Sequence, residues 1–462
     1  MRSIQFLAAL AACAVLSAGL SACGGGGGGD SDGSSGSGGQ QTSSVLGGTT
    51  VTQVIASPGA NAAVVTVAQA PAATGTVVAN VPMVTVTLCA PGSTTQCTTI
   101  NNVMVDTGSS GFRVLASALN ASSLTSWSTA LTPVMAPSPH GTDPLGECMT
   151  FADGIAFGSV RSANLTIAGE TASNVNIEVI GDPIAPQPTT TQTVSGSGAT
   201  TINTALSECK SSANQNTTQT LHANAVLGVG TAVDDCSYCH SGTNATPMYY
   251  YCASASPYTC TNLAQTTLTS AQVVNNPVTF FPVDNNGVIL ELPPIASTGA
   301  SSATGVLVFG IDTESNNQLG GATVLTATTA TAQTTEGNIT TVYGGQSLTT
   351  SFFDSGSNSM FFPSSIATCS DGIFYCPAST QSLSAVVSGQ NGNNEAIDFS
   401  VANVDTLTAS GNYAFNDQAG TTTYFGDNTT FDWGLPAFYG RNIYTGITGK
   451  TAGGYTGPFY AF

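Results

Sequence analysis

Basic residues are nearly missing from this chain: six Lys and Arg stand against twenty-five Asp and Glu, a formal net charge of -19. So few cations cannot cover a phosphate backbone or hold an anionic lipid surface, which makes nucleic acid and anionic membranes poor partners. The acidity fits solubility, and it fits tolerance of acid equally well, because protonated carboxyls relieve self-repulsion. Histidine is scarce too. His140 and His222 stand isolated in the sequence, and no Ser, His and Asp come together as a nucleophilic triad. Helical periodicity is almost absent. The apolar run from Ile4 to Leu20 is too short, and too promptly followed by small residues, to be a stable membrane span. Behind Met1-Arg2 it reads as a secretion signal, whose removal with Arg2 makes the charge -20.

What the chain does have is short apolar strands and turns, and two of them end alike. Val103-Met104-Val105 leads into Asp106-Thr107-Gly108-Ser109-Ser110-Gly111, and Phe352-Phe353 leads into Asp354-Ser355-Gly356-Ser357. An apolar strand that delivers an Asp into a turn of Gly and hydroxyl residues, twice in one chain, supplies what a shared two-carboxylate site needs. Two carboxylates in contact cannot both ionise, so the pair holds one proton between them. Such a pair activates a water: the ionised member takes the water's proton while the protonated member polarises a peptide carbonyl. The chemistry needs no metal and no cofactor. Gly108 and Gly356 allow the two loops to approach backbone to backbone. Thr107 and Ser355 carry hydroxyls able to bond across to the opposite loop, and Ser109 and Ser357 complete the two turns.

At these residues the chain resembles the pepsin-like aspartic endopeptidases. Ala225-Val226-Leu227-Gly228 is similar to the apolar-apolar-Gly strand which that family threads behind its first Asp loop. Gly305 to Asp312 is similar to the strand that closes the first lobe. The second apolar-Gly strand is matched loosely by Phe431 to Gly440, where Pro436 cannot donate to a ladder. The resemblance implies an all-β, two-lobed fold with the site in a cleft between lobes, catalytic Asp106 and Asp354, and peptide or unfolded protein as substrate. The family's flap hairpin falls near Met149 to Gly154, with Phe151 in place of the usual tip Tyr. Arg113 stands where the family has a Trp that bonds that Tyr, which makes Arg113 a cleft candidate, unless the register is displaced by insertions.

The export signal ends in Leu20-Ser21-Ala22-Cys23, which resembles a bacterial lipobox and makes Cys23 a candidate lipid anchor. Gly24 after the Cys, by resemblance to bacterial sorting practice, points to the outer membrane. The Gly/Ser stretch that follows has a mean span of roughly 25 Å, enough to hold a body clear of a membrane. The expected division is a signal over 1–22, a lipidated tether over 23–48, and pepsin-like lobes over 49–312 and 313–462, since roughly 415 residues exceed what one core serves. A monomer is expected.

Apart from Cys13 and Cys23, ten cysteines remain, an even number suited to an oxidising compartment. Cys89 with Cys97 and Cys369 with Cys376 read as small-loop disulfides. The pairing of Cys148, Cys209, Cys236, Cys239, Cys252 and Cys260 is open. Cys236-Ser237-Tyr238-Cys239-His240 has the spacing of covalent haem attachment, against which stand the nearby Cys252 and Cys260 as oxidation partners. Two functional classes therefore emerge: an anchored aspartic endopeptidase, or a lobed surface lipoprotein that binds and no longer cuts. Arg113 and Phe151 motivate the second, because an Arg beside the dyad would favour two ionised carboxylates and remove the shared proton.

Overall fold

Residues 40–46, 49–71, 78–124, 126–182, 190–193, 199–202, 209, 213–241, 248–252, 260–263, 266–331, 335–423 and 426–462 are described by a computed structural model of the chain. The signal segment, Cys23 and the start of the tether lie outside them. Within the segment 23–48, expected as a tether, Gln40–Leu46 is a strand paired antiparallel with Thr49–Ile55.

Strands dominate, as the Val- and Thr-rich sequence favours. Val81–Cys89 turns back through Ala90-Pro91-Gly92 into Cys97–Asp106, and the Cys89–Cys97 disulfide closes the hairpin. Its last four residues, Val103 to Asp106, are all buried, so the strand enters the interior as it reaches the Asp. Ala225–Val229 lies between this strand and Ser110–Leu115, parallel to the first with Gly228 opposite Asp106, antiparallel to the second with Gly228 opposite Gly111. Only glycine fits there, because a Cβ on Gly228 would stand 2.8 Å from the Gly111 carbonyl oxygen.

The second half repeats the arrangement. Asp432–Gly434 runs parallel to Gln346–Asp354, with Gly434 opposite Asp354, and antiparallel to Met360–Phe361. Pro436 falls just beyond, in the 3-10 turn Leu435–Phe438, where no ladder donor is asked of it. Aromatic packing braces this half: Phe431 stacks on Trp433 at 4.0 Å and on Phe362 at 4.5 Å.

Among the described residues two sheets carry most of the fold, one of sixteen strands and one of seven. The larger one is not confined to the first half. Gly287–Leu292 pairs with Ala303–Phe309 on one side and with Arg441–Gly446 on the other, and the latter continues to Phe459–Ala461 and Val324–Thr326. Asn80 adds a polar stitch: its amide donates to the carbonyls of Asn358 and Phe415 and its oxygen accepts from Phe415 N–H and Tyr439 O–H. The result is the β-rich architecture expected, with the two Asp strands ending against each other.

Candidate active site

The two Asp loops meet. Thr107 N–H donates to Ser355 Oγ at 3.1 Å and Ser355 N–H donates to Thr107 Oγ1 at 2.9 Å. Each hydroxyl in turn donates across the junction, Thr107 to the Phe353 carbonyl at 3.2 Å and Ser355 to the Val105 carbonyl at 2.8 Å. These four buried bonds fix the loops in register about an approximate two-fold axis. The glycines supply the room. A Cβ on Gly108 would fall 2.4 Å from Asp354 Cγ, and a Cβ on Gly356 would fall 2.7 Å from Asp106 Oδ1 and 3.1 Å from Asp354 Oδ1. Each carboxyl therefore rests against the glycine of the other loop, and the inner oxygens border the same small space.

Both carboxyls are fully buried. Asp106 Oδ1 accepts from the N–H groups of Gly108 (2.9 Å) and Ser109 (3.1 Å), and its Oδ2 accepts from Ser109 Oγ at 2.5 Å. Asp354 Oδ1 accepts from Gly356 N–H at 2.7 Å and its Oδ2 from Ser357 Oγ at 2.9 Å. Burial, the Asp106 charge, the Asp432 charge and a hydrogen bond to Asp106 push the Asp354 carboxyl well above the usual carboxylate range. Asp354 thus holds a proton where an exposed aspartate has lost it.

Beside the dyad lies a cavity of about 240 Å³, bordered by Thr107 and Gly108 of the first loop, Phe352 and Thr430 of the second half, Glu336 and Tyr460. Leu145–Thr150 and Ile155–Ile167 form the hairpin at the place expected for the flap. Phe151 begins its turn, with its N–H bonded to the Gly154 carbonyl, and its ring is buried in the first half's apolar cluster with Met104, Met149 and Val226. The next residue, Ala152, packs against the second half's cluster of Phe361, Phe374 and Val404. The hairpin turn therefore touches both halves.

Arg113 corrects an expectation, for it does not line the cleft. Its register opposite Val226 and Glu178 turns the fully buried guanidinium inward, where Nη2 meets Glu147 at 2.7 Å and Asp235 at 2.6 Å, and Nε lies 3.2 Å from Glu178. Burial opposes its charge, yet Glu147, Asp235 and Glu178 outweigh that and hold it charged beyond the ordinary range. Three carboxyls thus face its charge, and its Nη1 donates to the Ser110 carbonyl oxygen at 3.0 Å. Burial and the Glu147 charge push the carboxyls of Glu178 and Asp235 well up.

The haem spacing is occupied otherwise. Cys236 bonds Cys239, and His240 bonds Asp234 Oδ2 and the Leu268 carbonyl oxygen through its two ring nitrogens. The remaining middle cysteines pair as Cys148–Cys209 and Cys252–Cys260.

One residue of the site was passed over in the sequence. Asp432 sits inside the second apolar-Gly strand, fully buried, and the signal for it was an acidic residue at an apolar position.

A family model described as "Protein of unknown function (DUF3443)" matches residues 57–462. No curated protein sequence matches the chain. Among solved structures, the aspartic proteinase from Irpex lacteus matches with a TM-score of 0.42 at 16% identity, over 87% of this chain and 96% of that one.

Proposed function

The chain belongs to the DUF3443 family, whose description assigns no activity, and we propose that it is an aspartic endopeptidase that hydrolyses peptide bonds with Asp106, Asp354 and one activated water. The observation that carries this reading is the reciprocal seating of two buried carboxyls, each against the other loop's glycine, with Thr107 and Ser355 cross-bonded beneath them. Nothing in two unrelated turns calls for that arrangement. Asp354 supplies the proton that polarises the scissile carbonyl, and Asp106 takes the proton of the attacking water. The hairpin turn at Phe151 and Ala152 covers an extended peptide, whose side chains occupy the hydroxyl-lined cavity.

The test is cleavage of an unfolded protein in mildly acidic buffer. Activity should be blocked by a statine-type peptide and should fall by on the order of 10³ in Asp106→Asn and in Asp354→Asn. Cleavage that survives Asp106→Asn removes the assignment.

A second reading, binding without hydrolysis, draws on the contact of Ala152 with the opposite half, which covers a site whose carboxyls have no exposed surface. Tight statine-peptide binding with no cleavage at any pH would favour it.

Either protein would be held in the bacterial envelope by a lipid on Cys23, with the Gly/Ser stretch as tether to the outer membrane. Cys23→Ala should move the protein from the detergent phase to the aqueous phase. A wild-type protein that already partitions into water refutes the anchor.

A further inference from the structure

The two halves are alike down to single positions, and at one of them they differ in charge. Gly228 faces Asp106 and Gly434 faces Asp354, so Val226 and Asp432 are equivalent, and each also lies opposite the strand that leaves its loop, Val226 across from Arg113 and Asp432 across from Phe361. The place is apolar in one half and carboxylic in the other.

Side-chain direction follows from the ladder. Phe353 and Trp433 are partners whose rings stack at 6.0 Å in the core, so Phe352 and Asp432, one residue earlier on each strand, face the other side. That side is the site: Phe352 borders the cavity beside the dyad. Asp432 is fully buried, and the hydrogen-bonding group that acts on its carboxyl is the Ser357 hydroxyl. A buried carboxyl so sparsely bonded costs stability unless it serves something nearby.

We propose that Asp432 is the site's third carboxyl, a positioning residue whose charge, beside Ser357, keeps the shared proton on Asp354 toward neutral pH. The inference rests on the endopeptidase reading. The titratable and polar groups coupled to Asp432 through their charges or hydrogen bonds are Asp354 on the neighbouring strand, Ser357 on the loop after it, Asp106 from the opposite loop and Tyr460 from the strand Phe459–Ala461. Phe361 offers only an apolar face. Burial and then the Asp106 charge raise the Asp432 carboxyl, with Ser357 acting the other way, whereas Asp354 is raised by burial, by Asp106 and by Asp432 together. Two neighbouring carboxyls therefore favour the proton on Asp354, and one favours the proton on Asp432. Ser357 Oγ, already donating to Asp354 Oδ2, sits between the two carboxyls and orients the protonated one.

The test is the pH profile of kcat/KM, each variant read against its own plateau. Asp432→Asn keeps the shape and removes the charge, and Asp432→Val installs the residue of the equivalent site. Both should move the alkaline limb toward acid by about one pH unit, a loss of about tenfold at a fixed pH on that limb. Asp432→Glu should hold the limb near the wild-type position. An unmoved limb in Asp432→Asn, or an equal shift in Asp432→Glu, overturns the proposal. Should Asn and Val variants lose the wild-type circular dichroism, carboxyl ¹³C NMR of the unmodified protein decides, with Asp432→Glu used for assignment. Three coupled titrations that all respond to a statine-type peptide are expected, and an Asp432 signal indifferent to that peptide refutes the role. Asp106→Asn runs alongside. Its retained activity would sink the endopeptidase reading, whereas a stationary limb with Asp106→Asn inactive sinks only the part given to Asp432.

Discussion

Ser355 shows how much one hydroxyl can hold. It accepts from Thr107 N–H and donates to the Val105 carbonyl, and both of those groups belong to the opposite half. Ser355→Ala leaves a buried donor and a buried acceptor without partners, which should cost about 2–4 kcal/mol in urea unfolding. Cleavage should fall with it, because the loops lose their register. Ser355→Thr keeps the hydroxyl, as Thr107 does across the axis, and should restore most of both; a stability loss equal to that of alanine would show that shape and not bonding matters. The dyad itself was legible because its residue types are rare as a set: an Asp, a hydroxyl, a glycine and a second hydroxyl behind an apolar strand, found twice. Asp432 and the partners of Arg113 were not legible. A single Asp between Phe431 and Trp433 carries no periodic signal, and Glu147, Glu178 and Asp235 lie far apart in sequence until the sheet gathers them.

Elements were read better where their limits are chemical. The hairpin ending at Asp106 is set by Ala90-Pro91-Gly92 and by flanking cysteines, and the structure closes it at that turn with Cys89–Cys97. In the structure Asn391-Gly392 lies in the loop between Gln381–Ser388 and Asn394–Val401, with Gly392 at a positive φ of 82°. Apolar-Gly strands were harder. The first matched its pattern because Ala225, Val226 and Leu227 are all apolar, while the second is interrupted by Asp432 and followed by Pro436, so propensity argued against a strand that tertiary packing imposes. Arg113 failed as a cleft residue for a related reason: the resemblance gave its place in the family's pattern, but where its side chain points depends on the partner strands Ala225–Val229 and Glu170–Ile180. The middle disulfides needed three dimensions for their pairing, since spacing alone left Cys148 and Cys252 equally plausible partners for several others.

For the molecule as a whole, buried carboxyls set the pH at which it is most stable. Burial first of all raises Glu178, Asp235, Asp354 and Asp432 well above their usual range, raises Glu291 and Glu336 to about 7, and raises Asp417 to about 6. The unfolded values lie near 4. A group raised on folding stabilises fully below its unfolded value and loses that contribution as pH rises through the folded one, so all seven act in one direction. Stability should therefore be greatest below about pH 4 and fall steadily through pH 7, a trend thermal melts between pH 3 and pH 8 would show. Melts that rise toward neutral pH contradict it. The same trend suits a site whose proposed proton donor needs acid.

Phe353, the neighbour of Asp354, packs its ring against Tyr460 and Phe462 at 5.4 and 5.5 Å. Those two aromatics leave the ribosome long after the aspartate does. A nascent chain would thus carry both acids without the lining that seats the second one, and the proposed hydrolase would be silent until its last residues are made.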